Sequence, residues 1–128
     1  METTLKMIKS HPREPMYDSG KLAKAIGEMY ICAQACTACA DACLGEEKVA
    51  RLVDCIRLDL DCADICYTTG AILSRMTETS KELLQPLLQT CRTICNLCAM
   101  ECEKHAEMHT HCKVCGEACR RCEQACQL

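Results

Sequence analysis

The chain has no tryptophan and no phenylalanine, and only 3 tyrosines represent the aromatics. That absence excludes an ordinary core, in which large aromatic side chains supply much of the buried area. No apolar run approaches the ~20 residues that a membrane-spanning helix requires, so no membrane partner is expected. No block of like charge occurs: 15 basic and 18 acidic residues are spread along the chain and leave a net charge of −3. A nucleic-acid partner is therefore not expected either. Glycine-rich phosphate loops, paired acidic motifs and a nucleophile beside a base are all missing, and no enzymatic activity is expected. Residues 1–17 carry Lys6, Lys9, Pro12 and Pro15 but no apolar stretch with a cleavage-like site, so they do not read as a secretory signal. They read as an arm, loosely ordered or docked. A cytoplasmic location follows as the expectation, and a reducing cytosol disfavours structural disulfides.

What the chain does have is cysteine, 16 in 128 residues. Cys32, Cys36, Cys39 and Cys43 are separated by steps of 4, 3 and 4. Cys91, Cys95, Cys98 and Cys102 repeat those steps, and so do Cys115, Cys119, Cys122 and Cys126, with Cys112 one step upstream. A fourth copy, Cys55, Cys62 and Cys66, has Asp59 in the remaining slot. Alternating steps of 3 and 4 put side chains on one stripe of an α-helix, and their mean is the period of helices packed in a left-handed bundle. The period of two that a strand needs is absent.

The expected fold is therefore all-α: an antiparallel up-down four-helix bundle over residues 18–128 with a cysteine-lined core. Its helices are expected at about 19–44, 47–76, 80–106 and 110–127. Asp18 or Ser19 is the candidate N-cap of the first helix, which stops before Gly45. Thr79 and Glu82 have capping-box spacing for the third, Pro86 should bend it or mark a ragged first turn, and Thr110 is the candidate cap of the fourth. Ala33, Ala35, Ala38, Ala40 and Ala42 beside the first stripe suit close packing, within the bundle or between subunits.

A free cysteine is a small hydrophobe, and one or two on a helix face would mean packing alone. Sixteen on four aligned stripes forgo the larger burial energy of leucine. Thiols on one stripe also have near-parallel Cβ directions, which suits disulfides poorly. Metal binding remains. Structural zinc favours C-x2-C knuckles on turns, and iron–sulfur runs end in a proline-bearing motif. Here the C-x2-C steps lie within long helices. Cu(I) favours soft thiolates. Charge points the same way: four zinc–tetrathiolate units would leave about −8 in the core, whereas one Cu(I) per thiolate is neutral and predicts a capacity on the order of 16 ions. A zinc or cadmium sequestration protein and an iron–sulfur electron carrier are the alternatives.

One end of such a bundle carries Cys43, Cys102, His105, Met108, His109 and Cys112. The other carries Leu22, Ile26, Met29, Leu73, Met76, Leu84 and Leu88, an apolar plug. His105 and His109 continue the third stripe, so copper is expected to load there, with Met108 as a further ligand. Asp59 is a candidate minor ligand or a buried carboxylate with hydrogen-bond partners, unless a rotated helix turns Leu58 inward instead. His11 and His111 lie off the stripes and read as surface residues.

The four repeats of C-x3-C-x2-C-x3-C, with a histidine- and methionine-bearing turn before the last helix, resemble the bacterial copper storage proteins over residues 18–128. The resemblance implies Cu(I) stored inside a four-helix bundle and a homotetramer as the assembly. Exported members carry a twin-arginine signal, so this chain resembles the cytosolic branch. The partners it implies are copper ions and a copper donor or chelator. Asp59 departs from the family pattern.

Overall fold

The computed structural model describes residues 2–128. Among the described residues five α-helices follow one another: α1 (Glu2–Ser10), α2 (Ser19–Leu44), α3 (Val53–Leu73), α4 (Lys81–His105) and α5 (Thr110–Ala125), with a 3-10 turn at Val49–Leu52 before α3. Helices α2 to α5 form the antiparallel up-down bundle, each packed on two neighbours in the cyclic order α2, α3, α4, α5. There is no strand among the described residues, and no helix is long and apolar enough to cross a membrane.

Helix α2 starts where Asp18 caps it: the Asp18 carboxylate accepts from the Lys21 backbone N–H at 3.0 Å. It stops at Gly45. The second bundle helix does not run straight through 47–76. Its first turn tightens into the 3-10 segment, which tucks Leu52 into the core. It ends early at Leu73, where Ser74 Oγ donates to the Gly70 carbonyl at 2.7 Å and competes with the helix ladder. Met76, beyond the helix end, is still buried.

The expected capping box of α4 does not form. Ser80 occupies the N-cap position without a side-chain cap bond, so Glu82 falls one residue short of the position that a box requires. Pro86 does not interrupt α4. The backbone bond it deletes would have gone to the carbonyl of Glu82, an exposed residue that water can serve. In α5, His109 rather than Thr110 is the N-cap residue, with extended backbone. The arm, residues 1–17, contains helix α1, which packs on α2 through buried Ile8 and partly buried Leu5.

The core is continuous and of two kinds. Leu22, Ile26, Met29, Leu73, Met76, Leu84 and Leu88 are all buried at one end. Toward the other end the core is made of cysteine, and each of the sixteen is at most 2% exposed.

A buried column of thiols

The 4-3-4 steps along each helix and the bundle packing together aim every thiol inward. All sixteen are free and buried. Sulfurs from different helices come close: Cys66 and Cys95 are 3.5 Å apart, Cys36 and Cys119 3.6 Å, Cys66 and Cys122 3.8 Å, and Cys32 and Cys62 3.9 Å. A disulfide requires ~2.05 Å, so these are contacts between thiols. Metal–sulfur bonds of ~2.3 Å put neighbouring sulfurs around one ion ~4 Å apart. The array is therefore spaced for ions to sit between its sulfurs.

The sets that could hold an ion overlap. Cys32, Cys66, Cys95 and Cys122 form one, and Cys32, Cys36, Cys62 and Cys119 the next. Cys36, Cys98, Cys115 and Cys119 follow, then Cys39, Asp59, Cys102 and Cys115. Cys91 joins beside Cys66 at 3.8 Å, and Cys55 beside Cys102 at 3.8 Å. Cys126 sits against Cys122 and Cys91. Because Cys32, Cys36, Cys115 and Cys119 each serve two sets, the ligands form a column with shared members.

Asp59 faces this column and is fully buried, whereas Leu58 is only partly so. Its Oδ1 accepts from Cys98 at 3.2 Å, Cys115 at 3.3 Å and Cys102 at 3.6 Å, and Oδ2 accepts from Cys55 at 3.7 Å. Burial first, then the negative charge that Cys115, Cys98 and Cys55 would carry, push its carboxyl up to about 11. Burial and the neighbouring Cys55 likewise push the Cys43 thiol up to about 12, and the same causes raise Cys112. At Asp59, Cys43 and Cys112 burial therefore opposes ionisation.

The end of the column opposite the plug contains Cys39, Cys43, Cys112 and His111, whose ligand atoms form one further set. His111 Nδ1 lies 3.4 Å from Cys39 Sγ and 3.6 Å from Cys112 Sγ. His111 was expected on the surface, and that expectation was wrong: the residue is partly buried with one ring nitrogen against the thiols. A signal was available, since positions 111, 115, 119, 122 and 126 continue the last stripe by a step of four. His109 stacks on His111 with ring centroids 5.3 Å apart. His105 turns to its own helix, where Nε2 meets Glu101 Oε2 at 2.9 Å. Met108 is 73% exposed. His11 lies at the plug end, 3.4 Å from Thr77 Oγ1.

Glu46, in the loop after α2, was not anticipated. One oxygen, Oε2, lies 2.8 Å from His111 Nε2 and 3.0 Å from His109 Nδ1. The hydrogen bond from His111 is the main reason its carboxyl sits below the ordinary value.

Residues 18–128 match the family described as copper storage protein. The structure is similar to that of Ccsp from Streptomyces lividans loaded with 10 copper equivalents, with a TM-score of 0.95 and 50% identity over 97% of this chain and 95% of that one. It is also similar to a structure of copper loading to a cytosolic copper storage protein from Streptomyces lividans, with five coppers: TM-score 0.83, 56% identity, 84% of this chain and 90% of that one. The uncharacterized cysteine-rich protein YhjQ of Bacillus subtilis (strain 168) is 38% identical over 96 residues, 75% of this chain and 83% of its own length.

Proposed function

Because the chain belongs to the copper storage protein family, we propose that it stores multiple Cu(I) ions in the cytosol, inside the thiol column of its bundle. The single observation that carries this reading is that sixteen buried free thiols share one interior, with sulfurs 3.5–4.0 Å apart across helices. A cytosolic site of action rests on the Streptomyces lividans relative, which is described as a cytosolic copper storage protein.

The proposed ligands are Cys32, Cys36, Cys39, Cys43, Cys55, Cys62, Cys66, Cys91, Cys95, Cys98, Cys102, Cys112, Cys115, Cys119, Cys122 and Cys126. Each thiol gives up its proton as it binds, and one monovalent ion per thiolate keeps the interior neutral. The capacity is therefore on the order of 16 Cu(I). Four divalent ions in closed tetrathiolate sets would leave the column at about −8, which speaks against zinc storage in such sets. Asp59 contributes as a minor oxygen ligand or as a hydrogen-bond acceptor for thiols that hold no ion.

Copper loads at the histidine end, because the apolar plug closes the other. His109 and His111 stand at that mouth, with His105 and exposed Met108 as outer contacts for ions arriving from a donor or chelator. The protein is a store, and no catalytic role is assigned to it. Copies of the chain associate through the outer face of α2 and α3, where Tyr30 and Tyr67 meet edge to face over a groove also lined by Ala33, Thr37, Ala38 and Ala63. A homotetramer is the assembly proposed.

The test is Cu(I) titration of fully reduced protein against a competing chelator. Thiolate-to-copper absorption in the ultraviolet should rise to a plateau near one ion per cysteine. A plateau near four ions, or a brown protein with a reversible redox couple, would overturn the reading.

A further inference from the structure

The loading mouth contains a group that binds no copper in the reading above and yet touches both histidines there. We infer that Glu46 is a positioning residue that fixes opposite tautomers on His109 and His111, and so sets which nitrogen of each ring is free to take Cu(I). The inference rests on the copper-storage reading and deepens it.

The geometry gives the argument. An ionised carboxylate accepts hydrogen bonds and donates none. Glu46 Oε2 lies 3.0 Å from His109 Nδ1 and 2.8 Å from His111 Nε2. In each neutral ring the nitrogen that faces the carboxylate must therefore carry the proton. His109 is Nδ1–H and keeps its lone pair on Nε2. His111 is Nε2–H and keeps its lone pair on Nδ1, the atom 3.4 Å from Cys39 Sγ and 3.6 Å from Cys112 Sγ. The lone pair of His111 is thus delivered to the top of the thiol column, where it completes a ligand set with Cys39, Cys43 and Cys112. His109 holds its lone pair on the ring nitrogen remote from that carboxylate.

A carboxylate that holds the second nitrogen of a metal-binding histidine orients the ring and raises its basicity. Here one carboxylate does so for two rings with opposite sense. The sense at His109 is the diagnostic one, because free imidazole in histidine favours Nε2–H and only a partner at Nδ1 reverses it. Glu46 follows Gly45 at the end of α2, and His109 precedes α5, so the contact also joins two elements. A purely structural staple would give the same tautomers, so the loading rate at unchanged capacity is what separates a positioning role from it.

Two measurements test this. Long-range 1H–15N correlation spectra of reduced, copper-free protein at mildly alkaline pH should show Nδ1–H at His109 and Nε2–H at His111. This reading needs no variant, so loss of folding cannot obscure it. In Glu46→Ala, His109 should revert to Nε2–H, and stopped-flow loading with Cu(I) from a chelator should slow about tenfold, the low end of the effect of such outer partners, while capacity stays as in the unsubstituted protein. Glu46→Gln can set its amide oxygen where the shared Oε2 stands and accept from both rings, so it should keep both tautomers. The inference is overturned if His109 in the unsubstituted protein is Nε2–H, or if Glu46→Ala loads at the original rate. Failure of the unsubstituted protein to bind Cu(I) at all would instead remove the storage reading beneath it.

Discussion

Asp59 Oδ1 lies 3.2 Å from the sulfur of Cys98, with both groups sealed from water. Burial holds the Asp59 proton up to about pH 11, against an ordinary value of 3.8. The folded chain therefore retains a proton that the unfolded chain releases. Stability from this group is complete below pH ~4 and falls as pH rises toward ~11. At neutral pH the cost is on the order of 4 kcal/mol. Asp59→Asn should therefore stabilise the copper-free protein near pH 7 and have little effect near pH 4. Thermal melts of reduced protein across that range provide the check, and an equal effect at both ends would show that the carboxyl is ionised in the fold.

Sharing of sulfurs between neighbouring sets makes a different prediction. Cys36 and Cys119 are 3.6 Å apart and both belong to the two middle sets. If neutrality governs loading, removing both thiols with Cys36→Ala and Cys119→Ala lowers the capacity by about two ions. If the column were made of closed and independent clusters, both middle sets would fail and the loss would be far larger. Chelator-competed titration of the double variant separates the two cases.

The stripes were legible because helix periodicity and ligand identity coincide: Cys91, Cys95, Cys98 and Cys102 mark both a helix face and a binding wall. The breaks in the helices were less legible. Leu52 is pulled inward by a 3-10 turn as the bundle packs, whereas α3 ends at a local bond from Ser74 Oγ to the Gly70 carbonyl, one that serine makes in helix interiors as well as at their ends. Helix α1 was hidden because an amphipathic stretch of nine residues has no strong signal until Ile8 finds α2. His111 carried a visible step of four to Cys115, but its neighbour Cys112 drew the stripe one position over. Glu46 carried no sequence signal: a loop glutamate gains meaning only when α5 brings two imidazoles to it.

The outer face of α2 and α3 should decide the oligomeric state. Tyr67 is exposed and meets Tyr30 in a T-shaped pair, with ring centroids 5.6 Å apart. Tyr67→Glu puts a charge into any contact there and should split the assembly into monomers, as burying an unpaired charge is costly. Sedimentation of both proteins at the same concentration is the measurement. Copper capacity per chain should not change, since Tyr67 lies outside the column. A monomeric unsubstituted protein would remove the proposed interface.

The three histidines of the loading end differ in what holds them, and so should differ in what their loss does. His111 presents Nδ1 to Cys39 and Cys112, so His111→Ala removes a ligand that bridges solvent and column. Loading and unloading should slow by about tenfold or more, in line with loss of a metal-binding imidazole. His109 stacks on His111 and shares Glu46, so His109→Ala should slow loading less, by a few-fold. His105 already commits Nε2 to Glu101, so His105→Ala should act most weakly. In each variant the final capacity should stay close to that of the unsubstituted protein, because the sixteen thiols set it. Stopped-flow loading and chelator-driven release measure the rates, and titration measures the plateau. A ranking with His105 first would place the path along the outer side of α4 and away from the Glu46 loop.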